Sequence, residues 1–517
     1  MAAAEQAKDA EVARTAGRGG LAIATAKAYF MVVGLVQQIA LPRVLGLDGY
    51  GALSSVLSVA SIAYNPIVST SIQGVSRAVA QAPDEQQAQA TRGALKIHAL
   101  LALPFGVIFY LVAAPICNAM GAPHVTVPMQ MMSAVLFFYG LYSPFIGVLN
   151  GKKRFTWQAG LDMLYGTMRT LALVGGGWWL AKSGRGVEGS SLGFVAASLV
   201  IVFIALALVG VGKRGPGGPS IGQHLLFIAP LFVGQAVLNL LLQADLTLLR
   251  RFASESARAA GLGPEAADPL VGAYRATQLF SFLPYQLLIA VTFILFPMLA
   301  TAYRDRDDAA VARYVSSGVR LALILMGLMV SVTSGLSEPL MRLVFPAEAA
   351  HLGARAMQTL TLGFGAFAVF GILTTVLNSL KRELWSAIIT AVAFGLVVVL
   401  CFLRVRGAAF GPELLLRTAM ATTAGIVVAT VGAGFMVYKT TGAVVAPLSV
   451  VRVVAAMAIA ITLGRWLPPG GKMMALAYSA VVAGVYVVIL LLSRELGKND
   501  LANVKNVISR RRAGPGH

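Results

Sequence analysis

Val148-Leu149-Asn150-Gly151-Lys152-Lys153-Arg154-Phe155-Thr156-Trp157 recurs as Val376-Leu377-Asn378-Ser379-Leu380-Lys381-Arg382-Glu383-Leu384-Trp385, so the pattern V-L-N-x-x-K-R-x-x-W is written twice in one chain. Six of the ten positions are identical. Each copy stands where one apolar stretch ends and the next begins, and each supplies the cations that hold such a turn on one side of a bilayer. A weaker echo pairs Gly49-Tyr50-Gly51-Ala52 with Gly272-Ala273-Tyr274-Arg275-Ala276, at an offset of about 224 residues against about 228 for the first pair. Matching offsets at matching positions read as a duplication.

Outward from the repeat, the composition is that of a membrane protein. Of 517 residues, 57% are hydrophobic and 12% charged, with a mean hydropathy of +0.78. Soluble domains carry about 25% charged residues, which excludes a soluble enzyme. From the run Leu21 to Pro42 onward, about fourteen apolar segments of about 22 residues succeed one another. Six spans per half is an even number, so the halves share one orientation and are related by a pseudo-twofold axis along the membrane normal. The expected fold is all-α and polytopic. A cytoplasmic segment over 1–20 precedes one six-helix lobe over 21–212 and a second over 213–443. Two extra C-terminal spans over 444–493 and a basic tail over 494–517 follow.

Forty-one Lys and Arg against 21 Asp and Glu give a net charge of +20. In a soluble chain that excess would suggest nucleic acid; here its placement follows topology. Cations cluster after every second span, at Arg92, at Lys152 to Arg154, at Lys213 and Arg214, between Arg304 and Arg320, at Lys381 and Arg382, at Lys439, and at Arg510 to Arg512. Roughly 20 lie on one side against roughly 12 on the other, which predicts a multi-pass membrane protein with both termini cytoplasmic. Leu501, Val504 and Ile508 give the tail an apolar face suited to anionic lipid. Cys117, Cys401 and five scattered histidines show no ligand spacing, so neither a disulfide framework nor a metal site is expected.

Three stretches resemble the bacterial polysaccharide flippases of the multidrug/oligosaccharidyl-lipid/polysaccharide exporter superfamily. They are Ala40-Leu41-Pro42-Arg43-Val44-Leu45-Gly46-Leu47-Asp48-Gly49-Tyr50-Gly51, the turn Leu149 to Phe155, and Ala244-Asp245 followed by Gly272-Ala273-Tyr274 and Phe296-Pro297-Met298-Leu299-Ala300. The resemblance covers nearly the whole chain, though its motifs carry architecture more than cargo. It implies two six-helix lobes around a central cavity that opens alternately to either side. It also implies a cargo of polyprenyl-diphosphate-linked oligosaccharide, moved from the cytoplasmic to the periplasmic leaflet for cell-surface polysaccharide synthesis, with polymerase or assembly proteins as further partners. No cofactor is implied beyond coupling to H+ or Na+.

A charge at a helix centre costs at least about 2.5–3.5 kcal/mol, so each needs a cavity, a partner or an interface. Arg169 lies deep in span 5, and its planar fork suits the phosphate oxygens of such a cargo, the alternative being an ion pair with a neighbouring helix. Lys27 in span 1 would meet the diphosphate in an inward-open cavity or snorkel to the surface. Arg77 at the end of span 2 and Arg275 near the start of span 8 would attract the head group at the lobe entrances or anchor the interface. Gln37 and Gln38 would bond sugar hydroxyls or a neighbouring helix. In span 7, Gln235, Asn239 and Gln243 recur every four residues as a polar stripe, read as a cavity wall, with Asp245 offset toward it. Asp245 is the ion-coupling candidate, unless it pairs with Arg250 or Arg251. Arg417 and Arg452 rank lower, Arg452 serving a tail groove only if the extra spans reach the cavity.

Three function classes compete. A cation-coupled multidrug exporter would carry more carboxylate and aromatic surface than fixed positive charge, and a lipid II flippase has a different signature across its first two spans. A polysaccharide polymerase or ligase would place its chemistry on a large outward loop, yet the stretch from Arg250 to Leu270 lacks acid, base and nucleophile together. No catalytic residue is expected.

Overall fold

A bilayer leaves backbone polar groups no water to bond, so a spanning chain satisfies them within helices. The computed structural model describes residues 2–215, 218–443, 445–468 and 470–497; the amphipathic tail at Leu501 to Arg512 and the last residue of the chain lie outside the described residues. The helices run α1 (Ala2–Gln81), α2 (Gln87–Ala119), α3 (Thr126–Gly151), α4 (Phe155–Ala181), α5 (Gly186–Val209), α6 (Ile221–Ala259), α7 (Asp268–Ser281) and α8 (Leu283–Arg304). They continue as α9 (Asp308–Gly335), α10 (Ser337–Val344), α11 (Ala347–Ser379), α12 (Glu383–Arg404), α13 (Pro412–Thr441), α14 (Pro447–Trp466) and α15 (Lys472–Leu492). Among the described residues, eleven helical stretches are apolar and long enough to cross a membrane by composition alone.

The fourteen spans read from the sequence map onto these helices once two of them are counted by geometry. α1 is broken at Gly46, whose φ of 73° is left-handed, so the chain reverses there and α1 supplies two spans. α7 and α8 are separated by Phe282 alone and together make one, while α10, at eight residues, is too short to cross.

The repeat is visible in backbone conformation. In the first copy, Lys152 N–H donates to the Val148 carbonyl at 3.0 Å, Lys153 N–H to Asn150 at 2.9 Å and Arg154 N–H to Leu149 at 2.8 Å. In the second copy, Leu380, Lys381 and Arg382 donate to Val376, Asn378 and Leu377 at 3.1, 3.2 and 2.8 Å. Lys153 and Lys381 both adopt a left-handed conformation, at φ 56° and 57°. A non-glycine residue in that region is uncommon. Both copies of the V-L-N-x-x-K-R pattern thus end a helix in the same left-handed cap, one that Arg306 and Arg494 also form, at φ 57° each, without the pattern.

The chain divides into two compact units. The first comprises 1–275 with 401–414. Here α1 runs along α3, α4 and α6, α2 packs on α3 and α4 on α5, around a core that includes Val56, Met129, Met132, Leu136, Leu173 and Phe194. α6, counted from sequence as the first helix of the second half, packs on α1 in this unit.

The second unit comprises 276–400 with 415–517. Its core is aromatic, with Phe282 against Phe364 at 4.9 Å and Tyr285 against Phe367 at 4.8 Å between ring centres. α14 packs on α9, and α15 on both. The clasp that holds them is ionic: just beyond α15, buried Glu495 accepts from Arg320 Nε of α9 at 2.8 Å and from Arg452 Nη1 of α14 at 3.4 Å. Arg452 thus has a partner within the extra spans.

Burial works against the charge of Glu495, but hydrogen bonds from Arg320, Ser449 and Arg452 outweigh it and hold the carboxyl below the ordinary glutamate value. A lowered folded-state value stabilises at pH above the unfolded-state value, about 4.3, and that contribution disappears as pH falls through the folded-state value. Glu495→Gln is expected to lower stability by about 1.5–3 kcal/mol at neutral pH, the cost of hydrogen bonds to charged groups. In detergent, the thermal midpoint of the wild type should fall toward that of the variant below about pH 4. A variant melting with the wild type at pH 7 would leave the clasp without energetic weight.

Candidate functional site

Arg169 stands near the middle of α4 in the first unit. Its guanidinium carbon lies 4.7 Å over the ring centre of Phe194 on α5. Tyr64 from α1, Tyr139 from α3 and Tyr165 from α4 itself surround it closely enough to act on its charge. The rings brace one another edge to face, Tyr64 against Tyr139 at 5.1 Å and Tyr139 against Tyr165 at 5.5 Å, and the Tyr165 hydroxyl lies 3.2 Å from Ser198 Oγ. The electron-rich face of Phe194 attracts the cation without neutralising it, and the guanidinium is hydrogen-bonded to Tyr139. Arg169 has no ion-pair partner among the described residues, and its Nε is buried without a hydrogen-bond acceptor. The rings around Arg169 thus hold a cation that no carboxylate among the described residues neutralises.

Neighbouring groups continue the polar contacts toward α1. Thr170 donates to Gln37 Oε1 at 3.4 Å, and Tyr29 and Thr167 hydroxyls meet at 2.7 Å. Gln38 accepts from the Tyr50 hydroxyl at 2.7 Å. Lys27 is exposed on α1 and acts on Asp162 of α4, which also lies beside Tyr142. Sequence reading passed over Asp162, although it stands seven residues before Arg169 and hence on the same face of α4. The four aromatic residues of the cage were likewise missed; their positions on four helices carry no local pattern.

The remaining candidates lie apart from this group of residues. Arg77 is exposed, bonded to Gln81 and stacked 4.1 Å over Phe227 of α6. Arg275 is half-buried and acts on Tyr50. The polar stripe of α6 faces the second half of α1: Asn65 donates to Asn239 at 2.7 Å, Ser58 to Gln243 at 3.0 Å, and Asn239 back to the Gln235 carbonyl at 2.8 Å. The sequence picks out the face, but what lies opposite Asn239 and Gln243 is a helix whose amides and hydroxyls match them. Asp245 is fully buried and accepts from the Tyr274 hydroxyl at 2.9 Å. Arg250, one of the partners considered for it, instead forms an ion pair with Asp268 and donates to the Pro264 carbonyl at 3.1 Å; Arg251 pairs with Glu255 at 3.0 Å.

The two halves of the weaker echo meet at the end of the unit away from the basic turns. A Cβ on Gly51 would stand 1.9 Å from the Asp268 carbonyl oxygen, and one on Gly272 would stand 2.5 Å from that of Leu47. Backbone touches backbone there, which only glycine permits. The tyrosines flanking the crossing, Tyr50 and Tyr274, each bond back to a polar side chain of the preceding span, Gln38 and Asp245 respectively.

Comparison with known proteins agrees with the helical, membrane-spanning architecture. Among solved structures the chain is similar to a lipid II flippase, MurJ, in an inward closed conformation, at 13% identity over 92% of this chain and 99% of that one, with a TM-score of 0.75. It is also similar to an inward-facing multidrug resistance MATE family transporter, at 15% identity over 80% of this chain and 95% of that one, TM-score 0.61. A Vibrio cholerae MATE transporter matches at 15% identity over 83% and 97%, TM-score 0.56. At these identities the likeness shows the fold. No curated protein matches in sequence. The MatE family matches residues 259–403, and the family described as Polysaccharide biosynthesis protein matches residues 16–303, more than half of the chain. The chain is therefore a multi-pass membrane transporter belonging to the polysaccharide biosynthesis protein family of the multidrug/oligosaccharidyl-lipid/polysaccharide exporter superfamily.

Proposed function

We propose that this flippase carries a polyprenyl-diphosphate-linked oligosaccharide from the cytoplasmic to the periplasmic leaflet of a bacterial inner membrane, by alternating access and without covalent chemistry. The observation that carries the reading is Arg169, a guanidinium near the middle of α4 that has no ion-pair partner among the described residues and is held by Phe194 and the Tyr139 hydroxyl. A diphosphate brings negative charges that must be compensated away from water, and a guanidinium offers parallel N–H donors for its oxygens. Lys27 would receive the head group first, from its exposed position on the same side of the bundle as Asp162. Gln37 and Gln38 would offer amides to sugar hydroxyls. Both termini are placed in the cytoplasm on the strength of the basic turns.

Lipid II is the second cargo to test, because the fold is shared with a lipid II flippase. The deciding experiment deletes the gene in its host, extracts lipids and identifies by mass spectrometry the species that accumulates. One polyprenyl-diphosphate oligosaccharide should build up, since a blocked flippase strands its cargo. Accumulated lipid II would replace the cargo, and unchanged lipids with heightened drug sensitivity would move the protein to the exporters.

A further inference from the structure

Two histidines 126 positions apart in the sequence touch inside the first unit. His98 of α2 and His224 of α6 face each other with 3.0 Å between their Nε2 atoms, and His98 Nδ1 lies 3.1 Å from the hydroxyl of Ser71 on α1. Both rings are buried, at 4% and 5% exposure. Three helices thus meet through one chain of polar atoms, on the seam where α6 enters the bundle. The seam is tight around it: a Cβ on Gly74 would stand 2.5 Å from Ile228 Cγ2 and 3.3 Å from the His224 ring. The approach to α6 is pinned to α2 as well, with Lys213 N–H donating to the Ala88 carbonyl at 3.1 Å.

The contact constrains the protons. At 3.0 Å one Nε2 must carry hydrogen and the other a lone pair, whichever tautomer Ser71 selects. One added proton can sit on an outer nitrogen and keep the bridge, but a second places hydrogens on both facing nitrogens and removes it. Even the first charge would be buried away from water with the bridge. The titratable group facing His98 is His224. α1 brings Arg77, stacked on Phe227 one turn beyond His224, and α2 carries Arg92 and Lys96 on the turns before His98. The closed seam therefore favours neutral rings. A solvated imidazole takes up a proton at about pH 6.5, so an opened seam binds protons that the closed seam does not. By linkage, proton binding then favours opening.

We infer that His98 and His224 form a proton-binding site that latches α6 against α1 and α2 when empty and releases it when protonated. The inference deepens the transport reading, because it supplies a site through which protons could drive the conformational cycle. Its test needs no cargo, so its failure is distinguishable from failure of that reading.

The purified full-length chain, reconstituted in lipid vesicles, is spin-labelled at Leu100→Cys and Gln223→Cys; both positions are exposed on the two helices, and native Cys117 and Cys401 are buried. The label-to-label distance is measured between pH 8 and pH 5. Expected is a population with longer distances growing in below about pH 6.5, absent in His98→Gln/His224→Gln. The single variant His224→Gln should respond weakly or not at all. A wild-type distribution unchanged across the range overturns the inference, as does a pH response kept by the double variant. If the double variant does not give the wild-type distances at pH 8, the single variant and the wild-type series decide in the same way.

Discussion

Arg169→Met is expected to reduce flipping of a diphosphate-linked saccharide lipid by about 10- to 100-fold while leaving the thermal midpoint near that of the wild type. Hydrogen bonds to charged groups are worth about 1.5–3 kcal/mol, and each 1.4 kcal/mol is tenfold in affinity, which sets the size of the loss. Stability should barely move, because two opposing contributions are removed together. The interaction of the guanidinium with Phe194 and the tyrosines amounts to about 0.5–2 kcal/mol, and the desolvation of an unpaired cation costs at least as much. Methionine fills similar volume and favours contact with aromatic rings. Arg169→Lys keeps the charge but loses the planar fork, so intermediate transport is expected. A proteoliposome assay with protein of verified folding reads both. A purely structural arginine would give the reverse pattern, with a lowered midpoint and full transport by the folded fraction.

What could be foreseen of this molecule, and what could not, divides by the range of the interaction. The spans were legible because hydropathy is local and because a bilayer demands helices of a set length. The turn at Lys152 to Arg154 was legible because it is written twice, and its hydrogen bonds are the same in both copies. Arg169 was legible as a charge in an apolar run, but the Tyr64, Tyr139, Tyr165 and Phe194 cage around it was not, since tyrosine and phenylalanine in a membrane helix look like ordinary packing. The stripe of Gln235, Asn239 and Gln243 could be read from its spacing, whereas its neighbours, Ser58 and Asn65 on α1, could be learned only from the structure. His98 and His224 carry no spacing at all. Tertiary contacts over such separations leave no trace in a single sequence unless both partners belong to a repeat.

The glycine crossing is the case where the repeat does leave that trace, and it yields the other large expected effect. Gly51→Ala puts a methyl group 1.9 Å from the Asp268 carbonyl oxygen, a distance that no side-chain rotation relieves because both sides are backbone. α7 must then move off α1 at this end of the first unit. Overpacking of this kind costs about 1–3 kcal/mol, and the cost falls only on conformations in which the crossing is closed. A flippase that cycles through a closed crossing should therefore lose transport by more than tenfold in Gly51→Ala, and more again in Gly51→Val. Gly272→Ala, whose methyl would stand 2.5 Å from the Leu47 carbonyl, should show the same loss in milder form, and the double variant should be no more active than Gly51→Ala alone. Proteoliposome flipping rates and thermal midpoints check the series. Wild-type rates in Gly51→Ala would mean that the backbone contact between the two halves of the echo is not on the transport cycle.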